Sequence, residues 1–236
     1  MSNQRKVAIV TGASQGIGAA AVDALRARGY AVVATSRSIR QSDDPDVVAV
    51  AGDIGSADTA KRVVDEAMKR FGRIDLLLNN AGIFIGKPFT QYTQQDFDAK
   101  ISTNVAGFFH ITQAAVGVME RQDSGHVVSI TTSIVDNANS SLQAAMASLT
   151  KGGIAAATKT LAIEYAKRGI RFNAVSPGII KTPMHPEATH EWLAAQHPVG
   201  RMGEISDIVD AVLYLESAKF VTGEILHVDG GQSAGH

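Results

Sequence analysis

The chain contains no cysteine, which excludes both a disulfide framework and thiolate chemistry. Prolines number only 6 in 236 residues, too few for an extended or low-complexity architecture, and there is 1 tryptophan. Neither sign of charge dominates: 22 Lys and Arg oppose 23 Asp and Glu, a formal net charge of -1. No basic block is present that would neutralise a run of phosphates, so nucleic acid is not an expected partner. Long hydrophobic runs are missing as well. Nothing approaches the ~20 apolar residues that span a bilayer, and the apolar run in MSNQRKVAIVTG is too short for a signal peptide. These absences give the expectation of a cytoplasmic protein with no membrane partner.

What is present is a sequence able to bury a large core, with 45% hydrophobic and 19% charged residues. Short β-branched apolar runs alternate with longer stretches of helical periodicity, the pattern of βαβ units. Strands are expected at 7–10, 31–36, 47–50, 74–78, 127–131, 171–175 and 225–228. Helices are expected at 19–28, 57–71, around 94–121, at about 141–168 and at 205–215, several of them ended by a glycine. The segment 182–203 holds most of the later prolines and histidines and reads as a covering loop with a short helix. No linker or repeat divides the chain, so 1–236 is read as one domain.

Between the first strand and the first helix lies TGASQGIG, Thr11 to Gly18. Glycines at Gly12, Gly16 and Gly18 permit a tight turn, with Ser14, Gln15 and Ile17 between them, and bring backbone N–H groups and a helix N-terminus to a pyrophosphate. A dinucleotide cofactor is therefore expected across the carboxyl ends of a parallel sheet. At the end of the second strand, Arg37 and Ser38 stand where NAD-selective proteins carry a carboxylate. An arginine there pairs with a 2'-phosphate, which favours NADP (NADPH) while leaving NAD open.

TGASQGIG, then AsnAsnAlaGly at 79–82, SerProGlyIleIleLysThr at 176–182 and ValAspGlyGly at 228–231 resemble, in order and spacing, the short-chain dehydrogenase/reductase family. The resemblance runs over nearly the whole chain. It implies an α/β Rossmann-type, doubly wound, seven-stranded parallel sheet in the order 3-2-1-4-5-6-7, three layers thick, and an oxidoreductase acting on a carbonyl or alcohol. It also implies that Asp53 and Ile54 meet the adenine end, that Asn79, Ala81 and Gly82 line the ribose side, and that Ile180 and Thr182 hold the nicotinamide carboxamide. A homodimer or homotetramer through the helices around 102–121 and 141–168 is expected from the same resemblance.

Catalytic members of that family use an asparagine, a serine, a tyrosine and a lysine, the tyrosine four residues before the lysine. Asn104 matches the asparagine, Lys151 the lysine and Ser133 the serine, with Thr132 competing for that last place. Ala147 stands where the tyrosine is expected. A free phenol has a pKa of about 10, and an ammonium roughly 4 Å away contributes about 4 kcal/mol toward its ionisation. An alanine offers no proton, and a positioned general acid is typically worth about 100-fold to 10,000-fold in rate. Two readings follow. One is an enzyme of this family with an altered proton route, such as a water held by Asn104 and Lys151. The other is a non-catalytic NADP(H)-binding protein, a sensor or partner subunit, in which Lys151 only bridges ribose hydroxyls. His185, His190 and His197 match no metal-ligand spacing, so no metal is expected, and they are read as solvent-facing or substrate-contacting.

Overall fold

The computed structural model describes residues 5–235. Residues 1–4 and 236, which belong to the one-domain reading and to the reading of the N-terminus, lie outside the described residues.

Seven strands form one sheet: β1 (Val7–Thr11), β2 (Ala31–Ser36), β3 (Val47–Ala51), β4 (Leu76–Asn79), β5 (Gly125–Ile130), β6 (Ile170–Pro177) and β7 (Ile225–Val228). Their order is β3-β2-β1-β4-β5-β6-β7 and every neighbouring pair is parallel, the topology the family resemblance implies. Apolar runs such as Val7–Thr11 are buried throughout because helices cover both faces. One core lies on the side of α2 (Ala57–Phe71), α4 (Gly107–Gln122) and α5 (Ala145–Tyr165). The other lies on the side of α1 (Gly16–Ala27) and α7 (Ile205–Ser217).

Several boundaries differ from the sequence expectation, each for a local reason. α1 begins at Gly16 rather than at 19, so the glycine turn itself forms the first helical turn. Ile74 is not in β4: its N–H and C=O are taken by the Gln122 side chain at 2.9 and 2.7 Å instead of the ladder. The expected helix around 94–121 is divided into α3 (Gln94–Lys100), a π-helical turn (Ile101–Ala106) and α4. α5 starts at Ala145 rather than near 141, since the Asn139 carboxamide binds the Ser141 N–H in a turn that competes with helix. β6 runs through Pro177, which sits at the strand's last position, where a missing N–H costs little. The 182–203 loop holds α6 (His190–Ala194). Among the described residues no helix is long and apolar enough to cross a membrane.

Candidate functional site

All strands are parallel, so their carboxyl ends open on one edge, and two adjoining cavities lie there. The first, about 290 Å³, runs over the β1, β2 and β3 ends. The second, about 450 Å³, lies beyond it, over β5 and β6. Ile17, Asn80, Gly82, Ile83, Thr182 and Met184 border both, which makes them one continuous groove.

Backbone at the glycine turn shapes the floor of the first cavity. Gly12 has φ 66°, and a Cβ there would fall 2.9 Å from the Ala81 Cα, so β1 and β4 approach as closely as they do only through glycine. Asn80 fixes this approach: its Nδ2 donates to the carbonyls of Thr11 and Gly12 at 2.9 and 3.1 Å. The first turn of α1 has no side-chain cap, which leaves its N–H groups for an anion in the groove. That donor set, in a cradle that a Cβ would fill, suits the pyrophosphate expected from the sequence. Gly12, Ser14, Gln15, Gly16, Ile17, Arg37, Ser38, Asp53, Ile54, Ala81, Gly82 and Thr182 all border this cavity. Arg37 and Ser38 are exposed at its outer rim.

In the second cavity the polar groups converge on Gly82. A Cβ on that glycine would meet Lys151 Nζ at 3.3 Å and Asn104 Oδ1 at 3.4 Å. The π turn places Asn104, which is buried, so that its Oδ1 accepts from Ile83 N at 2.9 Å and its Nδ2 donates to Ile83 O and Thr150 Oγ1, both at 3.2 Å. Lys151, one turn beyond Ala147 on α5, donates from Nζ to Ile130 O at 2.6 Å. Burial, and then the charge of Lys100, lower the Lys151 ammonium to about 8. Ala147, Thr132 and Ile180 border the same space, and the outer wall is apolar, with Phe84, Leu142, Trp192 and Leu193.

Three expected site residues border neither cavity. Ser133 is buried, and its Oγ donates to Gln232 Oε1 at 2.8 Å; the adjacent Thr132 is the residue that borders the cavity. Asn79 is turned into the core, where its Nδ2 donates to Thr112 Oγ1 at 2.9 Å, and the following Asn80 takes the groove position. Gly18 faces the Gly12 carbonyl and lets α1 pack on β1 instead of bordering the groove. Sequence reasoning missed Asn80, although it is half of the AsnAsnAlaGly pair. Of the three loop histidines, only His185 borders the second cavity. His197 is buried; its Nε2 accepts from Ile179 N at 2.9 Å while Nδ1 donates to Leu193 O. His190 Nε2 donates to His185 O at 3.0 Å and so ties the loop together. Tyr92 and Tyr165 are occupied elsewhere, the first donating to Ile85 O and the second packed on Phe172.

Comparison with known proteins places this geometry. A family model described as enoyl-(acyl carrier protein) reductase matches residues 12–233. A 3-oxoacyl-(acyl-carrier-protein) reductase, FabG, of Thermotoga maritima is 34% identical over 251 residues, covering 98% of this chain and 99% of the relative. Among solved structures, ElxO with NADP bound superposes with a TM-score of 0.91 at 27% identity, over 98% of this chain and 100% of that one. A 3-ketoacyl-(acyl-carrier-protein) reductase from Brucella melitensis complexed with NADH gives 0.90 at 28% identity, over 97% and 98%.

Proposed function

The chain belongs to the short-chain dehydrogenase/reductase family, and on that footing we propose that it is an NADP-preferring carbonyl reductase with an altered proton route. The observation that carries the reading is the convergence of Asn104 and Lys151 on Gly82, with Thr132 bordering the same cavity, where the two halves of the groove meet. When bound, the nicotinamide dinucleotide supplies or accepts hydride, and this needs only orientation from the protein.

The residues of the groove divide the remaining work. The uncapped α1 turn holds the pyrophosphate, Asp53 and Ile54 the adenine, and Arg37 with Ser38 the 2'-phosphate that distinguishes NADP from NAD. Ile180 and Thr182, following β6, orient the carboxamide. Thr132, in place of Ser133, donates its hydroxyl to the substrate oxygen. Ala147 leaves room where a phenol is expected, and the proton comes from the Lys151 side of the cavity. The apolar outer wall of Phe84, Leu142, Trp192 and Leu193 suits an acyl chain, in keeping with the substrates named for the Thermotoga and Brucella relatives.

The test is carbonyl-dependent NADPH oxidation by the purified protein, with a 3-oxoacyl thioester and simple ketones as probes. Turnover that falls at least 100-fold in Lys151→Ala is the expected result. NADPH binding without turnover of any carbonyl would make the chain the non-catalytic dinucleotide-binding sensor or partner subunit. Assembly belongs to the same proposal. Leu149 and Ile163 on α5 are 58% and 79% exposed and Phe109 on α4 is 53% exposed, an apolar face suited to a homodimer or homotetramer. Ile163→Glu is expected to reduce the mass measured by light scattering to that of the smaller species.

A further inference from the structure

Lys100 is the most anomalous side chain in the structure. It ends α3, one turn before Asn104, in a position that points into the core and is 0% exposed. Its Nζ has no hydrogen-bond partner and lies 5.3 Å from the centroid of the Phe84 ring, on a residue that walls the second cavity. A buried ammonium without a carboxylate costs several kcal/mol, whereas a leucine or methionine would fill the same slot without cost. Such a break with local packing rules is characteristic of a functional site.

Its surroundings do nothing to neutralise it. Among the described residues neither Lys100 nor Lys151 takes part in an ion pair. Asp96, one turn earlier on α3, is held by Lys87 at 2.7 Å and by Thr93. His185, on the loop that borders the cavity, is kept toward its neutral form by burial and by His190. The positive charge of Lys100 therefore adds to burial in disfavouring the charged form of Lys151, the one ammonium that borders the cavity beside Ala147.

We infer that Lys100 is a built-in charge that turns Lys151 into the proton donor of the site, in the space where Ala147 replaces a phenol. The inference rests on the carbonyl-reductase reading. In the reducing direction the carbonyl carbon gains the hydride, the π pair of the C=O bond moves onto oxygen, and that oxygen takes a proton from Lys151 Nζ. Lys151 is left as a neutral amine and regains its proton from water. The hydride would be supplied by a bound nicotinamide dinucleotide, and the substrate becomes an alcohol. Lys100 touches neither substrate nor cofactor, so it is a positioning residue acting through charge. Burial alone lowers the Lys100 ammonium, and burial with Lys100 lowers that of Lys151, which brings the donor near neutrality.

The experiment is a lysine-Cε NMR titration of isotopically labelled protein, with Lys151 assigned through Lys151→Arg, comparing the native chain with Lys100→Met and Lys100→Arg. In Lys100→Met the Lys151 midpoint should rise by about one pH unit, and the alkaline limb of kcat/KM should move up with it. Lys100→Arg keeps the charge and should keep both where they are. An unchanged midpoint in Lys100→Met, a midpoint that rises equally in Lys100→Arg, or a limb that stays in place would each overturn the inference. Lys100→Leu serves the same comparison should Lys100→Met fold poorly. Absence of turnover with any carbonyl would instead defeat the reductase reading, and it is recognised separately because the titration needs no substrate.

Discussion

Arg37 stands at the rim of the groove with no bond to hold it to a neighbour among the described contacts, so its guanidinium is available to a 2'-phosphate. A charge-assisted hydrogen bond is worth roughly 1.5–3 kcal/mol. Arg37→Asp should therefore lower the NADPH-over-NADH preference in kcat/KM by about 10-fold to 100-fold, and an unchanged ratio would remove Arg37 from cofactor selection. The neighbouring hydroxyls at the end of β5 make a second residue-level contrast. Thr132→Val should lower kcat about 100-fold by removing the donor to the carbonyl oxygen. Ser133→Ala should leave kcat within about 3-fold, because it loses only the bond to Gln232. The sequence could not separate these two. Beyond Ile130 the chain leaves the strand, and which of two adjacent hydroxyls turns inward depends on Gln232, which lies 99 positions away along the chain. Asn79 and Asn80 pose the same problem across the β4 end. The glycine turn, by contrast, was legible because its φ values and close approaches demand glycine wherever the ligand sits.

At the level of elements, helix ends with a glycine in the left-handed region were readable: Gly72 closes α2 at φ 74° and Gly169 follows α5 at φ 69°. α4 ends without that device. Its last turn passes into Asp123, the one described non-glycine residue with positive φ, at 50°. A side chain there is strained by about 1 kcal/mol, so Asp123→Gly is expected to stabilise the protein by about 0.5–1 kcal/mol. Urea unfolding with an unchanged slope checks it, and a loss of stability would mean that the aspartate compensates in a way the backbone does not reveal. The π turn was not legible. IleSerThrAsnValAla is poor in strong helix formers, but that composition does not specify a π turn; the extra residue is accommodated where Asn104 binds both polar groups of Ile83 on another segment. Local propensity carries no record of that tertiary bond, although the turn decides where Asn104 and, one turn earlier, Lys100 are placed.

Across the whole molecule the two ends of the sheet do different work. The carboxyl ends hold the groove, and the amino ends are joined by a buried polar knot around Glu216 of α7. Lys6 lies 2.8 Å from its carboxylate, the Tyr30 hydroxyl donates to it, and Arg171 and Lys219 stand at 3.5 and 3.3 Å. His126 of β5 is buried beside it, with Asn173 Nδ2 3.0 Å from its Nε2, and with Arg171 Nη2 at 2.9 Å and the Glu216 carboxylate at 3.4 Å from its Nδ1. Burial pushes Glu216 up, yet the hydrogen bonds from His126, Lys6 and Tyr30 outweigh it and hold the carboxyl well below the ordinary range. His126 is lowered from 6.5 to about 4, by burial first, against the pull of Glu216. Both shifts act on stability in one direction. Between pH 6.5 and about 4 the unfolded chain binds a proton at His126 that the folded chain refuses, so stability falls as the solution is acidified through that window. Below it the protonation of Glu216 is likewise favoured in the unfolded chain, and the loss continues. A few kcal/mol of stability should therefore disappear between neutrality and pH 4. In His126→Gln, which cannot titrate, the unfolding midpoint should start lower and change less over that range. An equally steep acid dependence in that variant would place the sensitivity elsewhere than at this end of the sheet.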